Sequence, residues 1–190
     1  DHEGDSALYV LNRTTGETIW KKDRSERTSW STPVVAEAAG KPQILVVATE
    51  KSCGYDLATG DILWETTGMT GNVIPTPIYD DGVVYLMSGF RGNAVQAVLV
   101  EKKGEAVPGT ILWSLKKNAP YTPSGLLYKG NLYYLWTNKA SLTCTNASLG
   151  RVHYTRQGLE GMKGVYAAPV AAKDRVYIAG RNGMVYVIRE

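Results

Sequence analysis

A glycine followed four residues later by a large aromatic occurs four times, as Gly16…Trp20, Gly60…Trp64, Gly109…Trp113 and Gly150…Tyr154. The aromatics stand 44, 49 and 41 residues apart. A second landmark, a small residue then Pro or Gly then an aliphatic, keeps the same beat in Thr32-Pro33-Val34, Thr76-Pro77-Ile78, Ser124-Gly125-Leu126 and Ala168-Pro169-Val170. Two independent landmarks in step mean one supersecondary unit copied along the chain, and a period of roughly 40–50 residues restricts the fold to propeller blades or helical arrays.

The content of each unit is strand. Tyr85, Tyr133 and Tyr177 each follow the Pro/Gly anchor by eight residues, inside runs such as Val83–Met87, Leu132–Trp136 and Val176–Ala179. These short β-branched and aromatic runs are bounded by turn clusters (Asp80-Asp81-Gly82, Lys129-Gly130-Asn131, Lys173-Asp174), and no window sustains a 3.6-residue period. Four strands fit in each unit: A after the anchor, B the Tyr run, C a stretch such as Ser141–Thr145, and D the segment carrying the aromatic. In D, Thr18 and Trp20, Ile62 and Trp64, Ile111 and Trp113, and Val152 and Tyr154 share a face. The expected fold is therefore all-β, a β-propeller of four-stranded antiparallel blades. The 20 Gly and 8 Pro supply turns at the density such a fold requires.

The frame divides the chain into strands C and D of one blade (1–24), three whole blades (25–67, 68–117, 118–157) and strands A to C of a further blade (158–190). A four-bladed ring has sixteen strands and this frame gives seventeen. The expectation is a single propeller segment of about four blades, part of a seven- or eight-bladed ring, with open edges available for self-association. Gly16, Gly60, Gly109 and Gly150 are expected to shape the C–D turns. Trp20, Trp64, Trp113 and Tyr154 are expected to be buried docking residues between blades. Asn12, Asp56 and Asn146, four residues before a glycine, suit Asx-type turns, which accounts for the Asn-X-Ser/Thr pattern at Asn12 and Asn146 without glycosylation.

A net charge of +3 is too small and too dispersed to imply nucleic acid, and no segment is long and apolar enough to span a membrane. Cys53 and Cys144 fall in C strands two units apart, beyond bridging distance, and are expected to be free buried thiols. His153 takes the place of Ile19, Leu63 and Leu112 in sister strands, and His2 is terminal. No Ser/His/Asp constellation, P-loop or CxxC occurs, so no catalytic or metal-ligating residue is assigned.

Tyr55-Asp-Leu-Ala-Thr-Gly-Asp-Ile-Leu-Trp64 and its sibling Asn12–Trp20 resemble the repeat of pyrroloquinoline-quinone-like (PQQ-like) propellers. Glu26–Pro33, Gly68–Asn72 and Met87–Asn93 resemble a bacterial subgroup similar to the outer-membrane assembly lipoprotein BamB. The resemblance implies seven or eight blades and an exported, periplasmic or extracellular protein. It also implies that PQQ-dependent dehydrogenases would need calcium, an acidic base and a vicinal disulfide, whereas this chain has no adjacent cysteines and no acidic cluster beyond Asp80-Asp81. No cofactor is expected. The copies loosen at Lys102–Pro108, which lengthens one turn, and at Leu149-Gly150 with Tyr154 in place of Trp.

If strand A is innermost, the D–A and B–C loops share one face. They carry Arg27, Ser29, Trp30, Asn72, Phe90, Arg91, Asn93, Tyr121, Tyr166, Arg181 and Asn182, a cation-and-aromatic set suited to anionic or peptide groups. The reading is a non-catalytic binding or scaffold propeller of the bacterial envelope, with a protein or polysaccharide partner. The alternative is a quinoprotein oxidoreductase or other channel-site enzyme with its catalytic residues on blades beyond this segment.

Overall fold

The computed structural model describes residues 1 and 3–189, so His2 and Glu190 lie outside the described residues. Seventeen strands form five sheets. A hairpin of β1 (Ser6–Leu11) and β2 (Thr18–Arg24) precedes three four-stranded meanders: β3 (Val34–Ala38) to β6 (Ile62–Thr67), β7 (Ile78–Asp80) to β10 (Ile111–Leu115), and β11 (Leu126–Tyr128) to β14 (Val152–Gly158). Within them run β4 (Lys41–Val46) and β5 (Lys51–Asp56), β8 (Val83–Ser88) and β9 (Ala94–Leu99), and β12 (Asn131–Leu135) and β13 (Ser141–Asn146). A three-stranded sheet of β15 (Val170–Ala172), β16 (Arg175–Ala179) and β17 (Val185–Arg189) ends the chain. All pairings are antiparallel between sequence neighbours, the order of propeller blades. Strand number and frame are as the repeat predicts, and no helix long and apolar enough to cross a membrane is present among the described residues.

The turns follow from local chemistry. At Asp81-Gly82, Lys129-Gly130 and Lys173-Asp174 both central residues have positive φ, between 41° and 75°. This is the type I′ geometry whose twist matches a right-handed hairpin. In the C–D turns the Asx prediction holds. Thr14 and Thr15 N–H donate to Asn12 Oδ1 (2.8 and 3.1 Å), Ala58 and Thr59 N–H to Asp56 Oδ1 (2.9 and 3.2 Å), and Leu149 N–H to Asn146 Oδ1 (2.9 Å). The longer 102–108 turn has no such residue; there Lys103 and Ala106 exchange backbone hydrogen bonds.

The core is laid down between sheets. Leu8, Val10 and Trp20 pack on Ile44, Val46, Cys53 and Tyr55, joining the hairpin to the first whole blade. Leu45, Val47 and Trp64 meet Val84, Leu86 and Val98 across the next junction; Tyr85, Met87 and Val95 meet Leu132 and Tyr134 across the third; Tyr133, Leu135 and Leu142 meet Val176 and Ile178 across the last. Each blade thus buries both faces only where it has a neighbour on each side, and the outermost faces remain open. Tyr9, Leu11 and Ile19 on the hairpin, and Val170, Val185 and Val187 on the terminal sheet, are between 49% and 61% exposed. Cys53 and Cys144 are buried and form no disulfide.

The four docking aromatics do not behave alike. Trp20 lies against Gly60 of the next blade and donates from Nε1 to the Leu57 carbonyl (2.9 Å); Trp113 lies against Gly150 and donates to the Ala147 carbonyl (2.8 Å). Both are half-buried. Trp64 is buried in the cluster it shares with the next blade, but its indole is turned back over its own sheet: the ring covers Gly54 and Nε1 donates to Gln43 Oε1 at 3.0 Å. Gly54 is the cross-strand partner of Trp64, where the sister pairs have Ala97 and Cys144, and only glycine leaves room for the ring. A Cβ at Gly54 would stand 2.1 Å from Nε1. The neighbouring turn differs to match, with Gly109 set against the Glu65 carbonyl rather than an indole. Tyr154, expected to be buried, is exposed at 37%. The next sheet along the chain, β15 to β17, has three strands among the described residues.

Candidate binding face

An antiparallel meander sends its D–A and B–C connections to one end and its A–B and C–D turns to the other. Direct bonds show the first set meeting. Gly71 bridges Phe90 and Pro120 bridges Thr137, each a D–A residue on a B–C residue, while Ser29 bridges Val73 between successive D–A loops. Asparagines of the B–C loops lace the set together: Asn93 Oδ1 accepts from Ala119 N–H (2.9 Å), Asn138 Oδ1 from Thr122 N–H (2.9 Å) and Asn182 Oδ1 from Lys163 N–H (3.3 Å). Asn93 and Asn182, predicted as binding residues, therefore spend their side-chain carbonyls on loop order.

Between the first two whole blades the loops leave a cleft of about 460 Å3, lined by Arg27, Glu50, Met69, Asn72, Phe90 and Arg91 among others. Arg27 and Glu50 pair across its rim at 3.4 Å, both well exposed. Phe90 stacks on Tyr121 of the next loop with centroids 5.0 Å apart, and the Arg91 guanidinium lies 5.2 Å from the Phe90 ring. Arg181 lies 4.5 Å from the Tyr166 ring. Of the predicted set, Arg27, Asn72, Phe90 and Arg91 line the cleft, with Tyr121 stacked beside it; Tyr166, Arg181 and Asn182 stand at the last junction. Trp30 is half exposed, held by its N–H to the Val73 carbonyl (2.7 Å). Ser29 is buried, its Oγ donating to Asp1 Oδ2 (2.7 Å).

Sequence reading missed a second cation–aromatic group. Trp136 has Lys139 Nζ at 4.4 Å and the Arg156 guanidinium at 4.0 Å from its ring, and Arg156 Nε donates to Asn118 Oδ1 (2.8 Å). Trp136 ends an apolar run and reads as core; Arg156 lies late in a D strand, and only the fold brings the two together. At this end the non-glycine residues in the left-handed region are Glu50, Asn72, Arg91, Asn118, Thr137 and Arg156, with φ from 49° to 73°, the others lying in the A–B turns. For β-branched Thr137 this conformation costs about 1–3 kcal/mol, and it is held by Thr137 N–H to the Ala119 carbonyl at 2.9 Å.

A buried ionic group lies behind the face where the hairpin meets the first whole blade. Arg24 pairs with Asp1 (2.7 Å) and with Glu26 (3.4 Å) and donates to the Tyr55 hydroxyl, while Lys51 pairs with Glu26 at 3.2 Å. Burial pushes the Glu26 carboxyl up, but Arg24, a backbone hydrogen bond and Lys51 together hold it below the usual range. The Lys51 ammonium is raised by its hydrogen bond to Glu26. Burial raises the Tyr55 hydroxyl far above its ordinary value, against the pull of Arg24, and it also raises the Cys53 thiol. The arrangement is a fastener: every charge is answered from an adjacent element, and none is presented to the cleft.

The donors do not suit a calcium–quinone centre. Among the described residues no three His, Cys, Asp or Glu side chains converge, the acid of the cleft is committed to Arg27, and the two cysteines lie in different sheets. What the face offers is guanidinium and ammonium groups, amides and rings.

The family profile described as "Outer membrane protein assembly factor BamB" matches residues 4–190. Among solved structures the chain is similar to BamB from Moraxella catarrhalis (TM-score 0.65, 13% identity, 96% of this chain and 55% of that one). It is also similar to the quinohemoprotein alcohol dehydrogenase from Comamonas testosteroni (TM-score 0.66, 14% identity, 97% and 38%) and to the computationally designed protein Ika4 (TM-score 0.63, 16% identity, 84% and 91%). At such identities the likeness is one of fold, and the chain spans only about half the length of the BamB structure. No curated protein sequence matches it. A 44-residue strand repeat, Asx-closed C–D turns and tryptophans docked on turn glycines agree with that profile over nearly every residue: this chain belongs to the BamB family of PQQ-like β-propellers.

Proposed function

We propose that this chain is a non-catalytic binding scaffold of the bacterial cell envelope, periplasmic or extracellular, which presents its D–A and B–C loop end to a protein partner. The observation that carries the reading is the composition of that end. The cleft between the first two whole blades is lined by Arg27, Asn72, Phe90 and Arg91, its acid is tied to Arg27, and its loops are braced by backbone bridges in a fixed shape. A braced surface binds without first ordering its loops, which lowers the entropic cost of association. Family membership supports an envelope-assembly role as much as a quinoprotein one, and the donor set favours the former.

The test has two arms. Photo-crosslinking residues placed at Asn72 and Phe90, and as controls at Thr15 and Thr59 on the opposite turns, are exposed to light in the producing cells. Adducts confined to the loop-end positions support the reading, whereas equal labelling at both ends overturns it. In the second arm PQQ and calcium are titrated into the purified chain by calorimetry, and submicromolar uptake of either overturns the non-enzymatic assignment.

A further inference from the structure

The modest net charge conceals a strong asymmetry. Residues 1–110 carry 10 Lys and Arg against 15 Asp and Glu, while residues 111–190 carry 11 against 3. The fold sorts these charges again by end. From β8 onward the D–A and B–C loops, with the late part of β14, bring Arg91, Lys116, Lys117, Lys139, Arg156, Lys163 and Arg181 to one end, with Glu160 as its lone acid. All seven cations are exposed, and among the described residues none of them forms an ion pair. At the opposite end the signs alternate, with Asp80, Asp81, Glu101 and Asp174 among the lysines, and Lys129 is paired with Asp174. Seven unanswered cations on one end of a small arc attract anions over roughly a Debye length, about 8–10 Å at ordinary salt.

Four of the seven are held on rings: Arg91 on Phe90 at 5.2 Å, Lys139 and Arg156 on Trp136 at 4.4 and 4.0 Å, and Arg181 on Tyr166 at 4.5 Å. The rings are thus occupied as platforms, and Phe90 is further covered by Tyr121. This bears on the ligand. Recognition of a pyranose or a nucleobase by this arc needs an open ring face to stack on, and Phe90 and Trp136 each already carry two partners, which leaves the half-exposed Tyr166 with a single cation. A guanidinium stacked on a ring keeps its N–H edge free for a carboxylate, which it meets in bidentate fashion. Beside Arg91 the cleft has an apolar wall of Met69 and Phe90, which accepts an aliphatic side chain. Carboxylates together with an apolar side chain describe a peptide.

We infer that the loop end from β8 to β17 is a docking surface for an acidic polypeptide segment, whose carboxylates meet Arg91, Lys139, Arg156 and Arg181 and whose apolar side chain enters the cleft beside Phe90. The inference rests on the binding-scaffold reading above and names the chemistry of its partner. If loop-end crosslinks form but acidic peptides do not bind, the scaffold reading stands and this inference alone falls.

Fluorescence anisotropy on the chain tests it, with a labelled peptide of alternating Glu and Asp around one central Leu, the same peptide with Gln and Asn in place of its acids, polygalacturonate as an anionic polysaccharide, and a single-stranded oligothymidylate. The acidic peptide binds, the amide peptide binds at least about tenfold more weakly, and affinity falls as salt is raised. The K139E/R181E variant loses about tenfold or more, as does K116E/K117E, which alters only residues past the end of a strand and serves if the first variant unfolds. K102E/K103E, at the opposite end, leaves binding unchanged. Equal binding of the amide peptide, tighter binding of polygalacturonate or oligothymidylate, or an equal loss in K102E/K103E overturns the assignment.

Discussion

Replacing Trp64 by alanine tests whether a docking tryptophan can be re-aimed onto its own blade. The indole is 4% exposed, covers Gly54, and donates to Gln43 Oε1, while Gln43 itself is 2% exposed and donates to the Ala38 carbonyl at 3.1 Å. Two costs follow. Emptying the ring volume costs about 3–5 kcal/mol because glycine at position 54 has no side chain with which to refill it. Leaving Gln43 Oε1 buried without a donor adds about 1–3 kcal/mol. Since domains of this kind are stable by about 5–15 kcal/mol, the variant should be folded marginally or not at all. Urea unfolding followed by far-UV circular dichroism reads the midpoint, and Trp64→Phe, which retains a ring but not the donor, separates the two costs. Trp20→Ala and Trp113→Ala, at half-buried sites, should cost less, and Tyr154→Ala least, about 1 kcal/mol or below. An unchanged midpoint for Trp64→Ala, or a Tyr154→Ala cost equal to it, refutes the account of docking.

Three further outcomes are expected. Gly60→Ala should destabilise more than Gly16→Ala: φ is +75° and +74° at the two sites, but only the Cβ at position 60 meets an indole, at 2.9 Å from Trp20, and thermal melts that rank the pair the other way would count against docking on the C–D turn. Glu26 is held below the usual carboxylate range, so its contribution is fully present above the ordinary pKa and is lost as pH falls through the lowered one. Acid titration of stability should therefore show a steeper decline in the parent than in Glu26→Gln, and parallel curves would mean that the Arg24–Glu26–Lys51 group is not coupled to folding. The open faces around Tyr9, Leu11 and Ile19 and around Val170, Val185 and Val187 should drive self-association of the isolated chain, to be read by light scattering; a monodisperse monomer near 21 kDa that resists proteolysis at both ends would contradict this.

The repeat landmarks by themselves determined the all-β class, the seventeen strands and their grouping, because strand period, turn residues and Asx closure are local: Asn12, Asp56 and Asn146 close their turns with N–H groups two or three residues away. The loop end, with Arg27, Arg91 and Arg181 on it, was legible for a related reason, since an antiparallel meander sends alternate connections to alternate ends. What Trp64 and Tyr154 touch was not legible, although both obey the motif. The first depends on Gly54, a cross-strand partner ten residues away, and on a lengthened turn that does not offer the usual seat; the second depends on what stacks against its sheet. The Arg24 group and the pairing of Trp136 with Arg156 likewise join residues that share no sequence pattern. Periodicity encodes which way a side chain points from its own strand, but the partner it meets is set by how adjacent blades stack, and only the tertiary structure decided that.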